Sequence, residues 1–163
     1  DSPRIRYAFA ELHGEQPQTH LRIVGDGEER VRIVSLIKLL NLQNSVSLVS
    51  WTENVPSEMA KADAFLLASK HESYGLVLVE AMAAGLPIVT TDVGCVGEVM
   101  KNEIHGIVVY EDDMASYAQA MERMVTDTVF RRSCSDEGRK TAQTLAGTTP
   151  DEYARAWVTA LTN

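Results

Sequence analysis

Short apolar runs rich in β-branched residues alternate with segments of helical periodicity along most of this chain, and that alternation leaves few folds open. The runs are Leu21–Val24, Val46–Val49, 64–67, 88–90 and 107–109, each bounded by polar or glycine-containing turns. Between and around them, apolar residues recur at helical spacing over 5–12, 28–42, Leu76–Ala84, 96–100 and 115–125. A strand followed by a helix, repeated, requires right-handed crossovers between parallel strands. The expected fold is therefore α/β, a doubly wound, Rossmann-like parallel sheet with helices on both faces. Beyond Asp127 the strand-like runs stop, and 129–144 and 151–161 read as a C-terminal helical tail, with Pro150 at the first turn of the last helix. No repeat, low-complexity tract or linker divides the chain, so residues 1–163 are read as one domain.

A fold of this kind takes its ligands outside the carboxyl ends of its strands, and composition narrows which ligands those are. With 45% hydrophobic residues the chain can bury a core, while a net charge of -8 provides no broad basic surface for nucleic acid or an anionic membrane face. The two cysteines, Cys95 and Cys134, make neither a disulfide framework nor a CxxC metal site, and fit a reducing, cytoplasmic setting. The four histidines, His13, His20, His71 and His105, form no spaced ligand set with them, so neither a metal nor a cofactor is expected. No stretch reaches the roughly 20 apolar residues of a bilayer span, and Asp1-Ser2-Pro3-Arg4 opens on no signal-peptide apolar region. Met82, Met114, Met121 and Met124 are read as core packing.

Three strand-to-helix loops carry the candidate chemistry. In Val24-Gly25-Asp26-Gly27-Glu28, small residues let the backbone turn beside a ligand, although Gly-Asp-Gly is equally an ordinary turn with an Asp cap. His71 to Met82 says more. Gly75 opens an apolar helix, so the amides near Gly75, Leu76 and Val77 lack helical partners and point the positive dipole end outward, a place suited to a diphosphate. Glu72 lies just before those donors. Glu80 stands between Val79 and Ala81 in the apolar helix, where an unpaired buried carboxylate would be costly, so it is expected to have a partner. The two acids could accept hydrogen bonds from sugar hydroxyls, each contributing about 1.5–3 kcal/mol. The bland alternatives are a solvated loop acid at Glu72 and a buried salt bridge at Glu80. The third loop, Thr91 to Glu98, lines the same edge with Gly94 and Gly97, or is a turn capped by Asp92 with Glu98 in the first turn of a following helix.

Taken together, His71 to Met82, Ala83-Ala84-Gly85-Leu86-Pro87-Ile88-Val89 and Thr91-Asp92-Val93-Gly94 resemble the signature of glycosyltransferase family four. The acid pair Glu72 and Glu80, with seven residues between them, is the hallmark of that signature, and the similarity runs from Val24-Gly25-Asp26-Gly27 to Gly106-Ile107-Val108-Val109. The resemblance implies a two-domain enzyme of facing Rossmann-like halves that retains anomeric configuration without a metal. It implies that Glu72 is catalytic and near the donor sugar and that Glu80 accepts the ribose hydroxyls. The backbone of Ser73, Tyr74, Gly75, Leu76 and Val77 would hold the sugar and diphosphate, Gly25 would line the site, and Trp51 and Thr52 would flank the base. Trp51 read alone is equally a packing aromatic.

By the same resemblance, this chain is expected to lack an N-terminal acceptor domain, together with the first strand of its own domain and an Arg and Lys that clamp the diphosphate. Ala68, Ser73, Tyr74 and Cys95 depart from the family pattern, which more often has Pro, Gly, Phe and Gly there. The function implied is the donor-binding half of a hexosyl- or N-acetylhexosaminyltransferase. Its donor would be a nucleoside-diphosphate sugar, with UDP the family-based expectation, and its acceptor a glycan or a lipid-linked molecule. Surface polysaccharide assembly at the inner face of the cytoplasmic membrane, with peripheral association of the full-length enzyme, is the implied setting. The isolated chain is expected to be inactive. A non-catalytic nucleotide-sugar-binding module is the alternative. A phosphoacceptor signalling domain would need an acidic cluster after the first strand, which Asp26 alone does not supply.

Overall fold

The computed structural model describes residues 3–110 and 113–146. Five short strands, β1 (Leu21–Val24), β2 (Val46–Val49), β3 (Phe65–Leu67), β4 (Ile88–Thr91) and β5 (Gly106–Val109), alternate with helices α1 (Pro3–Glu15), α2 (Arg30–Leu39), α3 (Val55–Met59), α4 (Leu76–Ala84), α5 (Met114–Thr126) and α6 (Thr128–Ala146). All pairings are parallel, as the alternation requires. The strands fall into two hydrogen-bonded sheets, β1-β2 and β3-β4-β5, where the sequence reading anticipates one.

Side-chain alternation places a different apolar cluster on each face. Val89, Leu66 and Ile107 join α1 and α5 residues such as Phe9, Leu12 and Met121. Ile88, Phe65, Leu67 and Val108 join Leu78, Ala81 and Met82 of α4, with Met59 of α3 and Ala142 of α6. Because β4 is covered on both faces, every one of its residues is buried. The first cluster also takes in Leu21 and Ile23 of β1 and Val46 and Leu48 of β2, so both sheets rest on one apolar layer.

Several elements differ from the sequence reading. Residues 96–100 form turns closed by a Val96–Met100 bridge, because Gly94 and Gly97 both adopt positive φ. Glu98 consequently has no helix to stabilise and is exposed. The additional helix α3 starts where Asn54 accepts a hydrogen bond from Ser57 N–H at 3.2 Å, with proline in the first turn. Met114 is 44% exposed and does not pack as Met82, Met121 and Met124 do. The helix read at 151–161 and Pro150 lie outside the described residues. Among those residues no helix is long and apolar enough to cross a membrane.

Candidate functional site

The β3–α4 loop and the segment after β4 meet at the carboxyl edge of the three-stranded sheet. Gly75 caps α4 with φ 72° and ψ 48°, and no side chain caps the helix. The first helical amides, at Leu76 and Val77, are therefore open to a ligand. Leu78, one residue further on, already donates to the Gly75 carbonyl at 2.8 Å.

Gly94 packs directly against this helix start. Its φ is +61°, and a Cβ there would lie 2.5 Å from the Tyr74 carbonyl oxygen and 3.0 Å from Gly75 N. Only a residue without a side chain lets the two backbones approach this closely. The half-buried Tyr74 ring packs on the α4 side of the sheet, while Ser73 and Leu76 are exposed. Behind Gly94, burial pushes the Cys95 thiol up, so that buried sulfur stays protonated at neutral pH.

Glu72 is half-buried and held in place: Ser69 Oγ donates to its Oε1 at 2.7 Å, and Thr91 Oγ1 donates to the Ser69 carbonyl, also at 2.7 Å. This relay runs from the end of β4 to the carboxylate, and it adds Ser69 and Thr91 to the residues expected from sequence. A serine three residues before a loop acid is the signal that could have found it.

Glu80 differs from its sequence reading. It is exposed, not buried, so neither a costly unpaired carboxylate nor a buried salt bridge describes it. The reason is its position on α4. Leu78, Ala81 and Met82 are buried, whereas Leu76, Glu80, Ala83 and Ala84 share the outward face at helical spacing. Glu80 thus stands one turn below Leu76 on the accessible side of the same helix.

Gly25, Trp51 and Thr52 lie at the carboxyl edge of the other sheet. The Gly25 amide donates to the Val49 carbonyl at 2.9 Å, so Gly25 offers a ligand open space, not a donor. Trp51 is 68% exposed, which removes the packing alternative for its indole. Its backbone N–H donates to Asp26 Oδ2 at 2.8 Å, and Thr52 Oγ1 accepts from Asn54 N–H at 3.0 Å. The structure thus gathers Glu72, Ser73, Tyr74, Gly75, Leu76, Val77 and Glu80 on one sheet edge, and Gly25, Trp51 and Thr52 on a second.

Comparison with known proteins gives this geometry its context. The family described as glycosyl transferases group 1 matches residues 4–141. An exopolysaccharide phosphotransferase of Streptomyces coelicolor is 32% identical over 152 residues, covering 92% of this chain and 16% of the relative. The N-acetyl-alpha-D-glucosaminyl L-malate synthase of Bacillus anthracis is 34% identical over 133 residues, covering 82% of this chain and 35% of the relative. The chain therefore spans well under half the length of either.

Among solved structures, WaaG, a glycosyltransferase involved in lipopolysaccharide biosynthesis, superposes with a TM-score of 0.78 at 28% identity, over 86% of this chain and 38% of that one. The pneumococcal O-GlcNAc transferase GtfA, solved with UDP and GlcNAc, shares the fold at a TM-score of 0.81 and 21% identity, over 98% and 32%.

Proposed function

The chain belongs to the glycosyl transferases group 1 family, and on that premise we propose that it is the donor-binding half of a retaining glycosyltransferase. The donor is a nucleoside-diphosphate sugar, and UDP is favoured by the neighbour solved with UDP and GlcNAc. The sugar, a hexose or N-acetylhexosamine, goes to a glycan or lipid-linked acceptor in surface polysaccharide biosynthesis. The names of the exopolysaccharide and lipopolysaccharide proteins support that setting, and its place in this reading is the inner face of the cytoplasmic membrane.

The observation that carries this reading is the start of α4, which no side chain caps and against which Gly94 packs, with Glu72 anchored in the loop before it. The amides of Leu76 and Val77 take the diphosphate and stabilise the charge left on the departing nucleotide. Glu72, with one oxygen held by Ser69, turns the other to the sugar and serves as the catalytic residue. Ser73, Tyr74 and Gly75 line the sugar through their backbone. Glu80 accepts the ribose hydroxyls, each such bond contributing about 1.5–3 kcal/mol. Trp51 and Thr52 flank the base, above the open turn at Gly25.

The acceptor belongs to a further domain in this reading. The split between β1-β2 and β3-β4-β5, two sheets on one apolar cluster with no ladder between them among the described residues, suits an additional parallel strand from outside this chain. Joined to an acceptor-binding half, the protein transfers sugar from the donor with retention, and Glu72→Gln abolishes transfer while nucleotide binding persists. The chain alone turns over no donor. A joined protein that binds nucleotide yet releases none would replace this reading with that of a binding module.

A further inference from the structure

We propose that Asp26 is a positioning residue which fixes Trp51 as a platform for the nucleobase of a nucleoside diphosphate, an inference that rests on the donor-site reading above. Asp26 lies two residues past the end of β1, yet its carboxylate is committed to two other segments. Oδ2 accepts the Trp51 backbone N–H at 2.8 Å, and Oδ1 accepts from Arg30 Nη1 of α2 at 3.0 Å. The Gly25 amide already joins the Val49 carbonyl at 2.9 Å, so the two strands are zipped to their last residues, and Asp26 extends the tie one step into the loops. On the other side of Trp51, Thr52 Oγ1 accepts from Asn54 N–H at 3.0 Å, and Asn54 in turn caps α3. The backbone of Trp51 is thus held directly by Asp26, and the segment that follows it is ordered by the Thr52–Asn54 turn.

The side chain on this backbone is left outside the core. Trp51 is 68% exposed, although an indole carries a large apolar area that folding ordinarily buries. A fixed backbone beneath an exposed ring lowers the entropy lost when a flat ligand stacks on it. The ion pair that Asp26 makes with Arg30 adds little to stability by itself, because the two side chains are 46% and 40% exposed.

The same hydrogen bond has a consequence for selectivity. With its N–H taken by Asp26, Trp51 offers a base its ring face and no main-chain donor. Stacking accepts any base, because every base has a π-face. Trp51 therefore contributes affinity without choosing between bases.

The test is ligand-observed saturation-transfer NMR with UDP, GDP and ADP on the wild-type chain and on Trp51→Ala, Asp26→Ala, Asp26→Asn and Glu80→Ala. In Trp51→Ala the affinity for whichever of these nucleotides the wild type binds falls by about tenfold, and saturation reaching the base protons drops relative to the ribose protons. Asp26→Ala lowers the same ratio, and Asp26→Asn restores it, because the amide oxygen still accepts the Trp51 N–H. A residue that merely supports the fold would reduce base and ribose signals together, and that result overturns the positioning role. If Trp51→Ala binds nucleotides as the wild type does while Glu80→Ala does not, the platform is wrong and the donor site stands. If no nucleotide binds the wild-type chain, the donor-site reading falls, and this inference with it.

Discussion

Gly94 and Tyr74 stand so close that a methyl group on Gly94 would lie 2.5 Å from the Tyr74 carbonyl oxygen. Two loops that are twenty residues apart in sequence are thereby pressed together in front of the open amides of α4. Gly94→Ala meets both this contact and a φ of +61°, and is expected to destabilise the fold by about 1–3 kcal/mol from backbone strain, or to push the loops apart. Urea denaturation measures the first outcome, and loss of nucleotide binding reports the second. Gly27→Ala is the control: nothing lies within 4 Å of its added Cβ, so its midpoint should stay within about 0.5 kcal/mol of the wild type. Equal stability of the two variants would contradict the apposition.

Ser69 should matter for the sugar and not for the nucleotide. Its hydroxyl holds one oxygen of Glu72 at 2.7 Å, at some distance along the loop from the α4 amides. Ser69→Ala is expected to leave the UDP dissociation constant unchanged. The extra affinity of a UDP-sugar over UDP should shrink by roughly fivefold, or about 1 kcal/mol for a lost hydrogen bond to a partly solvated carboxylate. Calorimetric titration of both ligands separates the two effects. An equal loss for UDP and its conjugate would place Ser69 in the nucleotide site instead.

What the sequence made legible follows from how local each signal is. Residues of β1 and β2 appear where the apolar runs place them, and α4 begins and ends on Gly75 and Gly85, both in the left-handed region. The sequence does not place Glu80, because α4 is apolar nearly all round and its pattern does not say which side faces out; α6 and α3 settle that by covering Met82 and leaving Glu80 bare. The helix expected at 96–100 failed because Val96, Val99 and Met100 have helical spacing while Gly97 bends the chain at φ 86°. Asp26 reads as a turn residue in sequence, and its hold on Trp51, 25 positions away, exists only once β1 and β2 pair. The tie from Thr91 to Ser69 is hidden for the same reason.

His105 supplies a pH dependence away from the site. It is buried, its Nδ1 accepts the Lys101 backbone N–H at 3.0 Å, and its Nε2 lies 2.9 Å from Thr141 Oγ1 on α6. Burial holds its pKa below the ordinary 6.5, opposed by the Glu137 carboxylate and reinforced by Lys101. A lowered folded-state pKa means that the unfolded chain takes up the proton first. Stability is therefore fully present above pH 6.5 and declines as pH falls below that value. The half-buried carboxylates of Glu58 and Glu137, whose pKa values are lowered by hydrogen bonds from Arg22 and Lys140, lose their share only at more acidic pH. Urea midpoints measured between pH 7.5 and about 5 should fall in the wild type and flatten in His105→Gln. Equal slopes would show that His105 is not the group responsible.

Nucleotide binding by this chain depends on the Glu80 carboxylate if the donor site lies at the start of α4, and Glu80→Ala reads that dependence. Glu80 is exposed and lies on the outward face of α4, so removing its carboxylate should leave stability within about 0.5 kcal/mol of the wild type. Any loss of binding is then a loss of contact with the ligand. In ligand-observed NMR with UDP, GDP, ADP and their common sugar conjugates, the account predicts that one nucleotide binds selectively and that Glu80→Ala weakens it by about tenfold or more. No binding by any of them at millimolar concentration, or binding that Glu80→Ala leaves unchanged, would contradict the donor site at the start of α4.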